Sequence, residues 1–133
     1  MPMNARIVKT ASAVAILFSA ACSSVNDPGG GVVCTTEARA AISITVVDSL
    51  TGQPTAFTGL FARAVDGTYA DSASFFTNPG SGAVSTGLAY ERKGTYAVTV
   101  GAAGYQNWVK TGVNVTAGEC HVNGVLLTAR LVR

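Results

Sequence analysis

Short segments in which apolar and polar residues alternate limit this chain to an all-β fold. The clearest lies in residues 94–108, where Tyr96, Val98 and Val100 alternate with threonine and alanine before two further glycines. An alternation of period two is typical of a half-buried strand, and glycine tolerates the backbone angles of tight turns. Similar segments recur at short spacing, and helical periodicity is absent beyond residue 21. The pattern predicts a single antiparallel Greek-key β-sandwich of about seven strands.

The strand boundaries follow from the same alternation and from turn residues. Asp66-Gly67 predicts a hairpin with a type I′ turn. In the last segment, the apolar residues change phase near Asn123-Gly124, which predicts a β-bulge there. Phe75 and Phe76 suggest a strand in the otherwise irregular residues 71–83. The remaining strands are predicted at residues 41–47, 60–65, 68–70, 84–90, 95–100, 109–115 and 120–131.

Two motifs resemble a known family. Residues 94–108 read G-T-Y-x-V-x-V-x-x-x-G-Y-x-x-W, and residues 44–54 form a strand followed by D-x-x-T-G-x-P. Together they resemble the carboxypeptidase regulatory-like domains, which are small transthyretin-like sandwiches, over roughly residues 40 to 130. In carboxypeptidases this module is an accessory domain without the active site. The resemblance therefore implies a transthyretin-like or immunoglobulin-like sandwich and no enzyme activity.

The first 21 residues predict an export signal. Arg6 and Lys9 precede an apolar run at residues 11–21, which is too short to span a membrane. The Ser-Ala-Ala junction before Cys22 resembles a bacterial lipobox, which implies that Cys22 is lipidated. Ordinary signal-peptidase cleavage at the same place is the alternative.

The segment after Cys22 predicts a tether. Residues 22–33 are polar and rich in glycine, and such a segment cannot bury enough apolar surface to fold. We therefore expect a signal at residues 1–21, a lipidated cysteine and tether at 22–33, and one domain at 34–133. The expected location is the bacterial cell envelope, at a membrane through the lipid anchor. Ser23 favours the outer membrane in a two-membrane host, by resemblance to known sorting rules; a soluble periplasmic or secreted protein is the alternative.

The other two cysteines predict a disulfide. Exported proteins usually oxidise such a pair. Cys34 precedes the first predicted strand, and Cys120 begins the last. A parallel pairing of these two strands would bring Cys34 and Cys120 together. Two free thiols are the alternative.

Charge and side-chain chemistry exclude several function classes. Without Arg6 and Lys9, seven basic and seven acidic residues remain, with no basic stripe for nucleic acid. His121 is the only histidine, which argues against zinc and against a Ser-His-Asp arrangement, and we expect it to face outward from a strand. Asp66 and Asp71 lack the carboxylate density of a calcium loop and are expected to be turn residues. We expect no metal, no cofactor and no enzyme activity.

The aromatic residues supply the remaining candidate site. Trp108, Tyr105 and Tyr90, together with Tyr69, could form a platform for a sugar ring or a protein side chain. Alternatively, Tyr105 and Trp108 close the end of the core. The sequence thus predicts an envelope module that binds a protein or polysaccharide partner. A structural or adhesive module that adds a strand at its sheet edge is the alternative, and an enzyme would need a pocket that joins His121 to acids.

Overall fold

The computed structural model of the chain describes residues 31–133, and every regular element in this range is a β-strand. Val32–Arg133 forms one compact unit. The described range holds no helix that is long and apolar enough to cross a membrane. The predicted signal, Cys22 and most of the predicted tether lie outside the described residues. The strands are β1 (Ile42–Asp48), β2 (Phe61–Asp66), β3 (Tyr69–Ser74), β4 (Phe76–Thr77), β5 (Val84–Leu88), β6 (Gly94–Gly101), β7 (Trp108–Ala117), β8 (Val122–Asn123) and β9 (Val125–Leu131).

The strands form two packed sheets, which confirms the predicted β-sandwich. One sheet has the order β4–β5–β1–β9, and the other has the order β3–β2–β6–β7–β8. Seven strands have five or more residues, as expected. β4 has only two residues and lies where Phe75 and Phe76 suggested a strand, whereas the two-residue β8 was predicted as part of the last strand and not as a separate one. All pairings are antiparallel except that of β1 with β9.

The parallel pairing of β1 with β9 confirms the prediction for the first and last strands. Ile42 lies opposite Val125, and the register continues to the far end of β1. This arrangement brings together the segments that precede the two strands. Cys34 and Cys120 form a disulfide there, with their Cα atoms 5.2 Å apart. The predicted pair is therefore confirmed.

The core follows the alternation in the sequence. In β1 the side chains of Ile42, Ile44 and Val46 are buried while the residues between them are less so. In β6 the side chains of Tyr96, Val98 and Val100 are buried in the same way. Burial of these apolar faces between the sheets supplies the main driving force for folding.

Tyr96 also needs a partner for its hydroxyl, because a buried polar group without one is costly. The hydroxyl donates to the Arg92 carbonyl oxygen at 2.7 Å. The Arg92 guanidinium lies 3.9 Å above the centre of the Tyr69 ring and forms a 2.8 Å ion pair with Asp66. This cluster closes one end of the sandwich and ties the β2–β3 turn to β6.

The β2–β3 hairpin is confirmed, but its predicted turn type is wrong. Asp66 pairs with Tyr69, so the central residues are Gly67 and Thr68. A type I′ turn requires positive φ at both. Gly67 has φ +59°, whereas Thr68 is not among the residues with positive φ. Glycine at the first central position fits a type II′ turn instead, because only that position needs the unusual angle.

The phase change near Asn123-Gly124 is a change of sheet and not the predicted bulge. Residues before Gly124 pair with β7, and those after it pair with β1. A Cβ atom on Gly124 would lie 2.9 Å from the Ala40 carbonyl oxygen, so the crossing depends on glycine. A bulge does occur between β6 and β7, where the register slips around Gly112 at φ +66°.

Candidate docking site

Tyr105 from the predicted aromatic platform lies at the corner where β1 ends. Its ring packs edge-on against Phe57, with 5.3 Å between the ring centres. Its hydroxyl donates to Asp48 Oδ2 at 3.2 Å and accepts from Arg133 Nε at 3.0 Å. The ring is half-buried and packs against the core. Tyr105 therefore closes this end of the sandwich.

Asp48 organises the same corner. Its Oδ1 atom accepts the backbone N–H groups of Leu50 at 2.9 Å and Thr51 at 3.2 Å. These backbone hydrogen bonds, from Thr51 first and Leu50 next, hold the pKa of Asp48 below its ordinary value, and Tyr105 and Arg133 add to the effect. The turn role expected for a residue in this motif accounts for these contacts.

Trp108 and Tyr90 do not join Tyr105 in one continuous surface. Trp108 pairs with Val100 at the start of β7, and its half-buried ring packs against the core. Tyr90 is 56% exposed and follows β5, whose last residue Leu88 lies opposite the first residue of β1. Since Tyr105 contacts the last residue of β1, Tyr90 is separated from it by roughly 20 Å, the length of a seven-residue strand. The remaining tyrosine, Tyr69, belongs to the Arg92 cluster.

His121 differs from its expected place on an outward strand face. It precedes β8, and its side chain is only 13% exposed. Its Nδ1 atom lies 2.6 Å from Glu91 Oε1, and its Nε2 atom lies 2.9 Å from Thr35 Oγ1. The sequence alone gave no sign of this contact, because Glu91 is separated from His121 by 30 positions.

Glu91 is the centre of this second cluster. It accepts the backbone N–H of Arg39 at 2.7 Å and that of Val122 at 3.3 Å. The Arg39 hydrogen bond is the main cause that lowers the pKa of Glu91, with His121 and Val122 contributing further. The carboxylate thus fastens the segment after Cys34 to β8, beside the disulfide. The Thr35 hydroxyl, the His121 imidazole and the Glu91 carboxylate are hydrogen-bonded in the same order as the groups of a Ser-His-Asp triad. Within residues 31–133, this cluster therefore has the chemistry closest to that of a catalytic site.

Asp66 and Asp71 make contacts within the sandwich, and Asp71 lies inside β3 and not in a turn as expected. Asp66 pairs with Arg92, and Asp71 Oδ2 accepts the Ala89 backbone N–H at 2.8 Å. Among the described residues, no cluster of three or more His, Cys, Asp or Glu side chains could hold a metal ion.

The outer edge of β9 is the feature that sequence reasoning did not locate. The Val125 N–H donates to the Ala41 carbonyl at 2.8 Å, and the Leu131 carbonyl accepts from Ser49 N–H at 2.9 Å. In a parallel pair, alternate residues direct both backbone groups to the same neighbour. Val125, Leu127, Ala129 and Leu131 therefore face β1 with their backbone groups. The outward backbone groups belong to the residues between them, which are Leu126, Thr128 and Arg130.

The backbone groups of these three residues have no neighbouring strand within residues 31–133, since β9 is the last strand of its sheet. The Leu126 side chain is 84% exposed, and Arg130 carries the single charge of the strand. The edge ends at Val132, whose carbonyl accepts from the Gln106 N–H at 2.7 Å. Three successive open positions form a template onto which another strand can pair.

The other edges of the described sandwich are protected to different degrees. β4 and β8 have only two residues each. The part of β7 beyond β8 carries Lys110 and the bulge at Gly112. Short strands, charges and bulges are the usual means of preventing edge pairing. The six-residue β3 edge has only the Ser74 carbonyl engaged, by the Thr86 hydroxyl at 2.9 Å, and β9 differs from β3 in its exposed leucine.

Comparisons with known proteins do not identify this site. No protein-family model matches the sequence, and no curated protein and no solved structure matches it either. The edge of β9, defined by Leu126, Thr128 and Arg130, is therefore the candidate site on structural grounds.

Proposed function

We propose that this chain is a non-catalytic docking module of the bacterial cell envelope, and that it binds a protein partner by strand addition to the β9 edge. The observation that carries the proposal is the run of outward backbone groups at Leu126, Thr128 and Arg130 beside a leucine that is 84% exposed. Main-chain hydrogen bonds supply the affinity in this mode, and the side chains supply specificity. The purely structural or adhesive role is the variant of this proposal in which the added strand only holds surfaces together.

A protein partner is favoured over a polysaccharide by the chemistry of this edge. Backbone N–H and C=O groups spaced along a strand match another extended peptide. A sugar site would depend on a joined aromatic surface, and Tyr105 and Tyr90 lie at opposite ends of β1. Trp108 is half-buried against the core.

The envelope location and the lipid anchor belong to the same proposal. The apolar run before Cys22 and the lipobox-like junction support export and lipidation. The Cys34–Cys120 disulfide suits an oxidising compartment. The resemblance to carboxypeptidase regulatory-like domains also fits an accessory binding module, and the sandwich architecture is compatible with it.

The proposal is tested by photo-crosslinking in intact cells, with the crosslinking amino acid placed at Leu126. The matched control position is Thr68, which is exposed at the tip of the β2–β3 hairpin. We expect one recurring protein adduct from position 126 and none of the same mass from position 68. Identical adducts from both positions, or none from 126, would contradict docking at β9.

The non-catalytic part of the proposal has its own test. Purified protein is assayed against a small activated ester, with His121→Gln as the control. We expect equal background hydrolysis for both proteins. Turnover by the wild type that His121→Gln removes would overturn the non-catalytic proposal in favour of the Thr35–His121–Glu91 relay.

A further inference from the structure

We propose that the strand added at this edge is β9 of a second copy of the chain, so that two sandwiches join through an antiparallel β9–β9 pair. This inference rests on the proposed function, because it names the partner of the same edge. It goes further by fixing the register, the symmetry and the residues that meet. The joined sheet would have eight strands, four from each copy.

The outward backbone groups limit the registers in which two β9 strands can pair. Outward groups on one copy must meet outward groups on the other, so only registers that pair residues 126, 128 and 130 among themselves are productive. The register centred on Thr128 places Thr128 opposite Thr128 and Leu126 opposite Arg130 of the second copy. In this register all three positions on each copy are hydrogen-bonded pairs, which exchange both N–H···O bonds. Shifting the centre by one residue in either direction leaves position 130 or position 126 without an open partner.

Charge and side-chain contacts favour the same register. Directly opposed like charges destabilise an antiparallel pair. The register centred on Thr128 separates the two Arg130 side chains by four positions, or roughly 13 Å along the strand. Each Arg130 instead crosses Leu126 of the second copy, where its aliphatic stem can cover a leucine that is now 84% exposed. Threonine opposite threonine is also a favourable cross-strand pair.

Most other edges of the described sandwich are protected against pairing. β4 and β8 are short, and β7 carries a charge and a bulge, whereas β9 carries one charged residue and no bulge; the β3 edge has one engaged carbonyl but lacks an exposed large apolar side chain. A self-pairing edge is the place where such protection would be absent. The contact is small, since a stable interface usually involves about 20 to 30 residues a side. A weak, exchanging dimer is therefore expected, and covalent trapping suits it better than a size measurement.

The test is disulfide trapping in the full-length chain, extracted from cells in mild detergent and oxidised with copper phenanthroline. Hydrogen-bonded antiparallel pairs have Cα atoms about 5.5 Å apart, within the range of a disulfide. Thr128→Cys should therefore give a covalent dimer on a non-reducing gel. Leu126→Cys should give at least about tenfold less covalent dimer, because the Cα atoms of residue 126 in the two copies lie farther apart than a disulfide can bridge. The wild type is the control for any crosslinking through Cys22.

A second variant keeps the proposal falsifiable. Adding Leu126→Pro to Thr128→Cys removes an outward N–H without touching the β1–β9 hydrogen bonds, and it should abolish the covalent dimer. Equal trapping at positions 126 and 128, or trapping that survives Leu126→Pro, would overturn the β9–β9 dimer.

Failure of the dimer and failure of the proposed function are distinguishable. If Thr128→Cys stays monomeric while position 126 still crosslinks to a different protein in cells, the second-copy inference is wrong and docking at β9 stands. If neither the covalent dimer nor any adduct at position 126 forms, both are wrong.

Discussion

Removing the disulfide gives the most quantitative test of how this small sandwich is stabilised. The change is the double substitution of Cys34→Ser and Cys120→Ser. The bridge joins residues 86 positions apart, so in the chain-entropy account it stabilises the fold by about 4 to 5 kcal/mol. Because a domain of this size typically has only about 5 to 15 kcal/mol of stability in total, the loss should be large. At about 4 to 8 °C per kcal/mol, the midpoint of thermal unfolding should fall by roughly 15 to 40 °C.

The assay is guanidinium chloride unfolding followed by the fluorescence of Trp108, the single tryptophan, whose half-buried ring becomes exposed on unfolding. The denaturant dependence should also steepen in the double variant, because an uncrosslinked denatured chain exposes more surface. The wild type in reductant is the control, and it should converge on the double variant. A loss of stability below about 1 kcal/mol, with an unchanged denaturant slope, would refute the loop-closure reasoning.

Three further predictions concern single groups. Tyr96→Phe should lower the free energy of unfolding by about 1 to 2 kcal/mol, because the part-buried Arg92 carbonyl loses its donor. A change below about 0.3 kcal/mol in urea unfolding would contradict this. Gly124→Ala should cost about 1 to 3 kcal/mol, because its Cβ would press on the Ala40 carbonyl, whereas the control Gly80→Ala meets only an ordinary contact at 3.5 Å; equal effects in thermal unfolding would contradict the close approach. Hydrogen bonding depresses the folded-state pKa of Asp48 and of Glu91, so each contributes stability that is present above the unfolded pKa and lost as the pH falls through the folded pKa. Acidification below about pH 4 should therefore lower the free energy of unfolding more in the wild type than in Glu91→Gln. If this free energy falls equally in both proteins between pH 7 and pH 3, the prediction is wrong.

The features that were predictable from sequence are those with a local signal. Alternation in β1 and β6 is visible residue by residue because the side-chain period of a strand is two. The Cys34–Cys120 bridge followed from export and from the place of each cysteine before a strand. The phase change beside Gly124 was also visible, but a bulge and a change of sheet produce the same local pattern, and only the pairing partners separate them.

The candidate site was not predictable, because it depends on strand order. Leu126 sits in an apolar run that is equally compatible with a central strand, and its outward backbone groups lack a neighbouring strand because β9 is last in its sheet. The contact of His121 with Glu91 joins residues 30 positions apart and carries no local motif. The aromatic platform failed as a joined surface for the same reason, since Tyr90 and Tyr105 are only 15 residues apart in sequence but lie at opposite ends of β1.

Docking at the β9 edge is tested by comparing Thr128→Pro with Thr128→Val in crosslinking and capture from intact cells. Proline removes the outward N–H of residue 128 and leaves the β1–β9 ladder intact, while valine keeps that N–H and the β-branched shape. We expect both variants to retain the wild-type unfolding midpoint within a few degrees. Thr128→Val should capture the same partner as the wild type, and Thr128→Pro should lose it. Undiminished capture by a folded Thr128→Pro variant would contradict docking at the β9 edge.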